Sequence, residues 1–138
     1  MNDIIIVVEL NQETYFDSYT KFQFREKDIS LEIGTVIEIA NIDCKIIKTN
    51  TDGTYELMVQ TALVEKFANC LIDSHDNFVE ELEKLTNVVS SKEEKLECEF
   101  YIDKINFYHS LLKKILEQFN LIMCFECKQY INLDNEHV

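Results

Sequence analysis

The chain has 138 residues, enough for one domain with a sizeable core, and its 46% hydrophobic and 28% charged content excludes wholesale disorder. Twenty-six acids against 13 bases give a net charge of −13, which opposes direct contact with nucleic acid or with an anionic membrane. The longest apolar run, Ile4 to Val8, is far short of the ~20 residues of a membrane helix.

Residues 1–60 read as strands. Ile4 to Leu10 has strand length, and Asp3 ahead of it is the wrong charge for a secretory leader. A second run, Thr14 to Arg25, is rich in aromatics: Tyr15, Phe16, Tyr19, Phe22 and Phe24. Ile29, Leu31 and Ile33 alternate, Gly34 breaks, and Ile37 and Ile39 resume the period of two. Asn41-Ile42-Asp43 supplies a turn, and Cys44 and Ile46 continue on the return strand. Asp52-Gly53 predicts a type I′ hairpin turn, with Tyr55, Leu57 and Val59 alternating after it. About five antiparallel strands would form a meander or a small open barrel.

Near residue 61 the period changes. Val64, Phe67, Leu71, Phe78, Leu82, Leu85 and Val89 fall on a helical stripe, in which Ser74 marks a potential break. Ser90-Ser91 interrupts it, and Ser91 with Glu94 makes a capping box that starts a second helix. That helix carries Cys98, Tyr101, Ile105, Tyr108, Leu112, Ile115, Phe119 and Ile122 at 3–4 spacing, widened by Phe100, Phe107 and Leu111. Two arms of equal length, each about 43 Å at helical rise, predict an antiparallel hairpin. Residues 121–133 read as a last strand that the hairpin returns to the sheet, and 134–138 as a polar tail. The expectation is therefore one α+β domain: a β part over 1–60, a hairpin over 61–120 and a C-terminal strand rejoining the sheet.

The acid is concentrated. Residues 73–99 hold nine carboxylates against Lys84, Lys92 and Lys95, a net of −6 at the distal half of the hairpin, whereas 100–120 carry +1. Such a surface either keeps a helix pair soluble or docks on a basic partner, for which spaced carboxylates can imitate a phosphate array. The residues expected to meet a basic protein are Glu80, Glu81, Glu83, Glu93, Glu94 and Glu97. The seam is wider than one partner helix can cover, and tyrosine suits a partly wet contact. Tyr101, Tyr108, Leu111 and Leu112 are therefore expected to mediate self-association as a homodimer.

Chemistry is harder to place. Cys124-x-x-Cys127 has metal-like spacing but no second pair, and only His137 nearby as a third ligand. Five cysteines, an odd count among apolar neighbours, suit free thiols in a reducing, cytoplasmic setting. His75 and His109 lie in no local constellation, and no phosphate loop, dinucleotide fingerprint, metalloprotease or nucleophile-elbow motif occurs. The aromatics of 14–25 could form a base-stacking platform, but with only Lys21, Arg25 and Lys27 nearby, core packing or an interface fits better. No cofactor and no metal is expected. Two glycines, no proline and heavy Ile, Lys and Asn usage suit an AT-rich genome such as that of a phage or mobile element.

These readings favour a non-enzymatic acidic binding module, a regulator or inhibitor of a basic protein that itself handles nucleic acid. The alternatives are an assembly subunit of a homo-oligomer, and a small hydrolase or thiol enzyme whose residues meet only in the fold.

Overall fold

Strand β1 (Ile4–Glu9) buries Ile4, Ile6 and Val8 and turns Ile5, Val7 and Glu9 outward, as its period of two requires. The same alternation runs through β2 (Val36–Ile39), β3 (Ile42–Thr49) and β4 (Thr54–Val59). The four strands form one antiparallel sheet in the order β1-β4-β3-β2. The structure is a computed structural model that describes residues 4–23, 31–88, 90–119, 121–123 and 129–132.

The β2–β3 turn is tighter than expected. Ala40 and Asn41 both take positive φ, 50° and 67°, so the two-residue turn precedes Ile42 instead of including it. The Asp-Gly hairpin forms where predicted, with a longer turn. Gly53 N–H donates to Asn50 O at 3.1 Å, and only Gly53 takes positive φ, +89°. Asp52 instead accepts from the Thr54 amide and hydroxyl at 3.0 and 2.6 Å, which holds its carboxyl below the usual range.

Residues 14–25 correct the strand expectation. Two short helices, α1 (Gln12–Tyr15) and α2 (Tyr19–Gln23), occupy the described part of this run, leaving four strands in the sheet. Asn11 and Thr14 exchange reciprocal bonds: Asn11 N–H donates to Thr14 Oγ1 at 2.8 Å, and Thr14 N–H to Asn11 Oδ1 at 3.0 Å. Ser18 Oγ likewise accepts from Lys21 N–H. Both are N-terminal capping devices, and they outweigh the β preference of the aromatics between them. Phe24 and Ile29 lie outside the described residues.

Past a short 3₁₀ turn, Thr61–Leu63, the chain enters α3 (Val64–Thr86) and returns through α4 (Lys92–Gln118). This is the predicted hairpin, with no break at Ser74. Ser91 is the N-cap of α4: its Oγ accepts from Glu94 N–H at 3.1 Å, while Glu94 Oε1 accepts from Ser90 N–H and both serine hydroxyls. Val64, Phe67, Ala68 and Leu71 of α3, with Phe107, Tyr108, Leu111, Leu112 and Ile115 of α4, pack on the inner sheet face. Fold class is therefore α+β in two layers.

The C-terminal segment pairs with itself. β5 (Leu121–Met123) and β6 (Tyr130–Asn132) form a separate antiparallel ribbon instead of adding to the four-stranded sheet. Asn69 of α3 anchors it, donating from Nδ2 to Tyr130 O at 2.9 Å and accepting from Tyr130 N–H. Within the sheet the edge of β1 is covered: Lys114 Nζ donates to Val7 O and Gln118 Nε2 to Ile5 O. These α4 side chains occupy carbonyls that an added strand would need.

Candidate functional site

The sheet reaches only the lower half of the hairpin. On α3 no residue beyond Leu71 is buried, and on α4 burial begins at Phe100. The described residues of 72–99 thus form a two-helix tip with a half-buried seam of Phe78, Leu82 and Leu85 facing Cys98 and Tyr101. Val88 and Leu96 are exposed there, at 61% and 43%.

Glu80, Glu81, Glu83 and Glu93 are exposed on this tip, whereas Glu94 and Glu97 are half-buried. The six are not equivalent. Lys84 bridges Glu80 and Glu81 at 3.5 and 3.6 Å, so that pair of charges is partly neutralised. Glu94 is committed to the helix cap, whose hydrogen bonds hold its carboxyl below the usual range. Glu97 accepts from the Tyr101 hydroxyl at 3.1 Å. Glu83 and Glu93, with Glu99, are the exposed tip glutamates that make no ion pair among the described residues.

The four residues expected at a self-association seam divide differently. Tyr108, Leu111 and Leu112 are buried inside one chain, at 2%, 1% and 9% exposure. Folding of the hairpin onto the sheet covers the apolar width that suggested a second copy. Tyr101 is half-buried, stacked near Phe78 and Phe100 with ring centroids 5.6 and 5.7 Å away. Burial and the Glu97 carboxylate together push its hydroxyl up to about 12. Tyr19 and Phe22 of α2 also pack on Phe100, at 6.0 and 5.6 Å, so the N-terminal aromatics described here serve packing.

Sequence reasoning missed Lys104. It is 1% exposed, and its ammonium donates to Thr14 O at 2.8 Å, lies 3.7 Å from Asp17 Oδ1 and sits 5.1 Å from the Tyr108 ring centroid. Burial pulls its pKa down to about 8, against the raising effect of Asp17. These contacts tie the α1–α2 segment to α4.

Sequence reasoning also missed a pairing of histidines. His75 on α3 and His109 on α4 stand with ring centroids 6.3 Å apart, and His75 Nδ1 lies 3.1 Å from Asp76 Oδ1. They line a pocket of about 480 Å³ between the helices. A larger cleft of about 640 Å³ runs along β1 and α4, past Glu9, Asn11, Asp103, Asn106 and Lys114. Among the described residues, no group of three or more His, Cys, Asp or Glu side chains is placed to hold a metal ion. Cys124, Cys127 and His137 lie outside the described residues.

Neither cleft carries a cysteine. The Cys44 thiol is buried in the sheet, where desolvation and the Asp43 charge push it up to about 12, and Cys98 is raised as well. Neither is an activated thiolate at neutral pH. Among the described residues, no helix is long and apolar enough to cross a membrane.

Comparison with protein families, curated proteins and solved structures gives no match for this chain. Function must therefore be argued from the molecule itself.

Proposed function

We propose that the chain is a non-enzymatic, cytoplasmic binding module that presents the acidic tip of its helical hairpin to a basic partner, as a regulator or inhibitor. One observation carries the reading: among the described residues none is buried beyond Leu71 on α3 or before Phe100 on α4, and that half of the hairpin holds nine carboxylates against three lysines. Among the described residues, this tip of roughly six helical turns meets the core only through half-buried Ile72 and Phe78. Its fixed carboxylates, spaced along two parallel rods, offer a basic surface the charge pattern that phosphates would offer. The partner class is accordingly a protein whose basic face otherwise holds nucleic acid.

Affinity capture from the native host tests this. The wild type is expected to retain basic proteins that elute as salt rises, because contacts between exposed charges are screened within about 10 Å at 0.1 M salt. A variant with Glu83→Lys, Glu93→Gln and Glu99→Lys should lose them. Capture of the same proteins by that variant would count against the reading.

Self-association is a second reading, and it now draws on a different surface. Ile5, Val7 and Val36 are 47%, 44% and 56% exposed on the outer sheet face, where Ile5 and Val36 end a cross-strand row that Met58 and Lys45 complete and Val7 stands opposite Glu56. Light scattering at micromolar concentration decides it. A mass near twice 16.3 kDa is the outcome expected for a homodimer, and 16.3 kDa excludes one.

A further inference from the structure

Three features apart from the tip glutamates could carry chemistry: the β1 cleft, buried Lys104 and the histidine pocket, which lies where the tip meets the core. The β1 cleft already has a strand carbonyl, Val7 O, taken by Lys114. Lys104 is sealed. The histidine pocket brings Ile72, His75 and Asp76 of α3 against Tyr108, His109 and Lys113 of α4.

Its construction separates an apolar interior from a polar rim. Tyr108 and Leu112 are buried at its base, with Ile72 and Leu116 half-buried beside them. Tyr130 of β6 forms a wall, held in place by the paired Asn69 hydrogen bonds to its backbone. His109 and Lys113 are exposed at the solvent side, and His75 is held by its contact with Asp76. Three nitrogen-bearing side chains thus meet one carboxylate, and that carboxylate is already engaged. Counting imidazoles neutral, as the net charge of −13 does, Lys113 and Asp76 balance, so this rim carries no excess of acid.

We infer that this pocket binds a small organic acid, a carboxylate carried on an aromatic or branched aliphatic body. The body fits between Ile72, Leu112, Leu116 and Tyr130. The carboxylate meets the Lys113 ammonium and an N–H of His109, with Asp76 orienting the His75 ring from the side. Apolar walls with a few convergent polar groups are the usual form of a small-molecule site. Lysine and imidazole donors supply the charge-assisted bonds that tell an acid from its neutral analogue. A cation would find only Asp76, already within hydrogen-bond distance of His75.

The probe is 2-naphthoate, compared with its uncharged counterpart 2-naphthamide, titrated into the full chain and followed by two-dimensional amide NMR. Naphthoate is expected to give saturable shifts centred on Ile72, His109, Leu112 and Tyr130. Naphthamide should bind about tenfold more weakly, the equivalent of one charge-assisted hydrogen bond. Lys113→Gln and His109→Ala, both at exposed positions, should each weaken naphthoate by about tenfold and leave the rest of the spectrum in place. Equal binding of acid and amide would overturn the inference, since the rim would then recognise nothing. So would shifts centred on the outer sheet face, or no saturation by ~10 mM naphthoate.

Discussion

Lys104→Glu is expected to cost about 3–5 kcal/mol, which removes most of the stability of a domain this size. The site is built for one positive charge: Nζ donates to Thr14 O, faces the Asp17 carboxylate and lies over the Tyr108 ring. A glutamate there meets a carbonyl oxygen and a second carboxylate, in a position 1% exposed where water cannot compensate. Lys104→Met is the milder change. It keeps the side-chain length, removes a costly buried charge and leaves Thr14 O without its donor, so the net effect at pH 7 is small.

The pH dependence separates these terms. Lys104 releases its proton near 8 in the folded state and at 10.5 when exposed. Between those values the unfolded chain binds more protons, so raising the pH favours folding, and the gain is lost as pH falls through 8. A displacement of that size corresponds to about 3 kcal/mol. Cys44 and Tyr101 oppose it, because their folded values are raised to about 12, and stability declines as pH rises from 9 and from 10 respectively. Comparison with Lys104→Met cancels those two. Urea unfolding at pH 7, 9 and 10.5 should show the wild type gaining about 3 kcal/mol relative to the Met variant. A constant difference across the range would mean that the ammonium is not desolvated.

Much of the architecture was legible because periodicity reports burial directly. An apolar run of strand length marked β1, alternation marked β2 through β4, and the 3–4 stripes with the Ser91–Glu94 box marked both helices and their turn. Residues 14–23 were misread because aromatic content outweighed Asn11 and Ser18, whose capping side chains were the signal available. The C-terminal ribbon was misplaced because strand pairing is a long-range choice. It depends on the Asn69 clasp, 61 residues away, which no local pattern encodes.

The candidate sites show the same division. Exposure of Glu80, Glu81, Glu83 and Glu93 followed from helical phase and the engagement of Glu94 from the Ser91–Glu94 box, whereas the hydrogen bond of Tyr101 to Glu97 is seen only in the fold. Lys104 was readable in principle. It stands at helical spacing between Phe100 and Phe107 on the buried strip, a phase that a sum of charge over 100–120 does not register. His75 and His109 lie at similar distances either side of the turn, so the predicted antiparallel pairing already implied that they could meet. Reading each histidine only against its chain neighbours hid this.

Changing Glu83 and Glu99 to lysine and Glu93 to glutamine takes the tip from −6 to −1. The expected result is association with the basic partner slowed by about 10- to 100-fold at low salt, with dissociation changed far less. All three side chains are exposed and free of ion pairs among the described residues, and none belongs to the Ser90–Ser91–Glu94 cap. Long-range steering depends on summed charge, so the three changes act through the field rather than through any one contact. The stability of the chain should stay within about 1 kcal/mol, since surface positions of this kind contribute little. Stopped-flow association of the captured partner with wild type and variant, repeated across ionic strength, measures this most directly. The acidic-tip reading predicts a fast, steeply salt-dependent rate for the wild type and a slow, nearly flat one for the variant. Equal rates with equal salt dependence would contradict it and leave the tip as a solubilising surface.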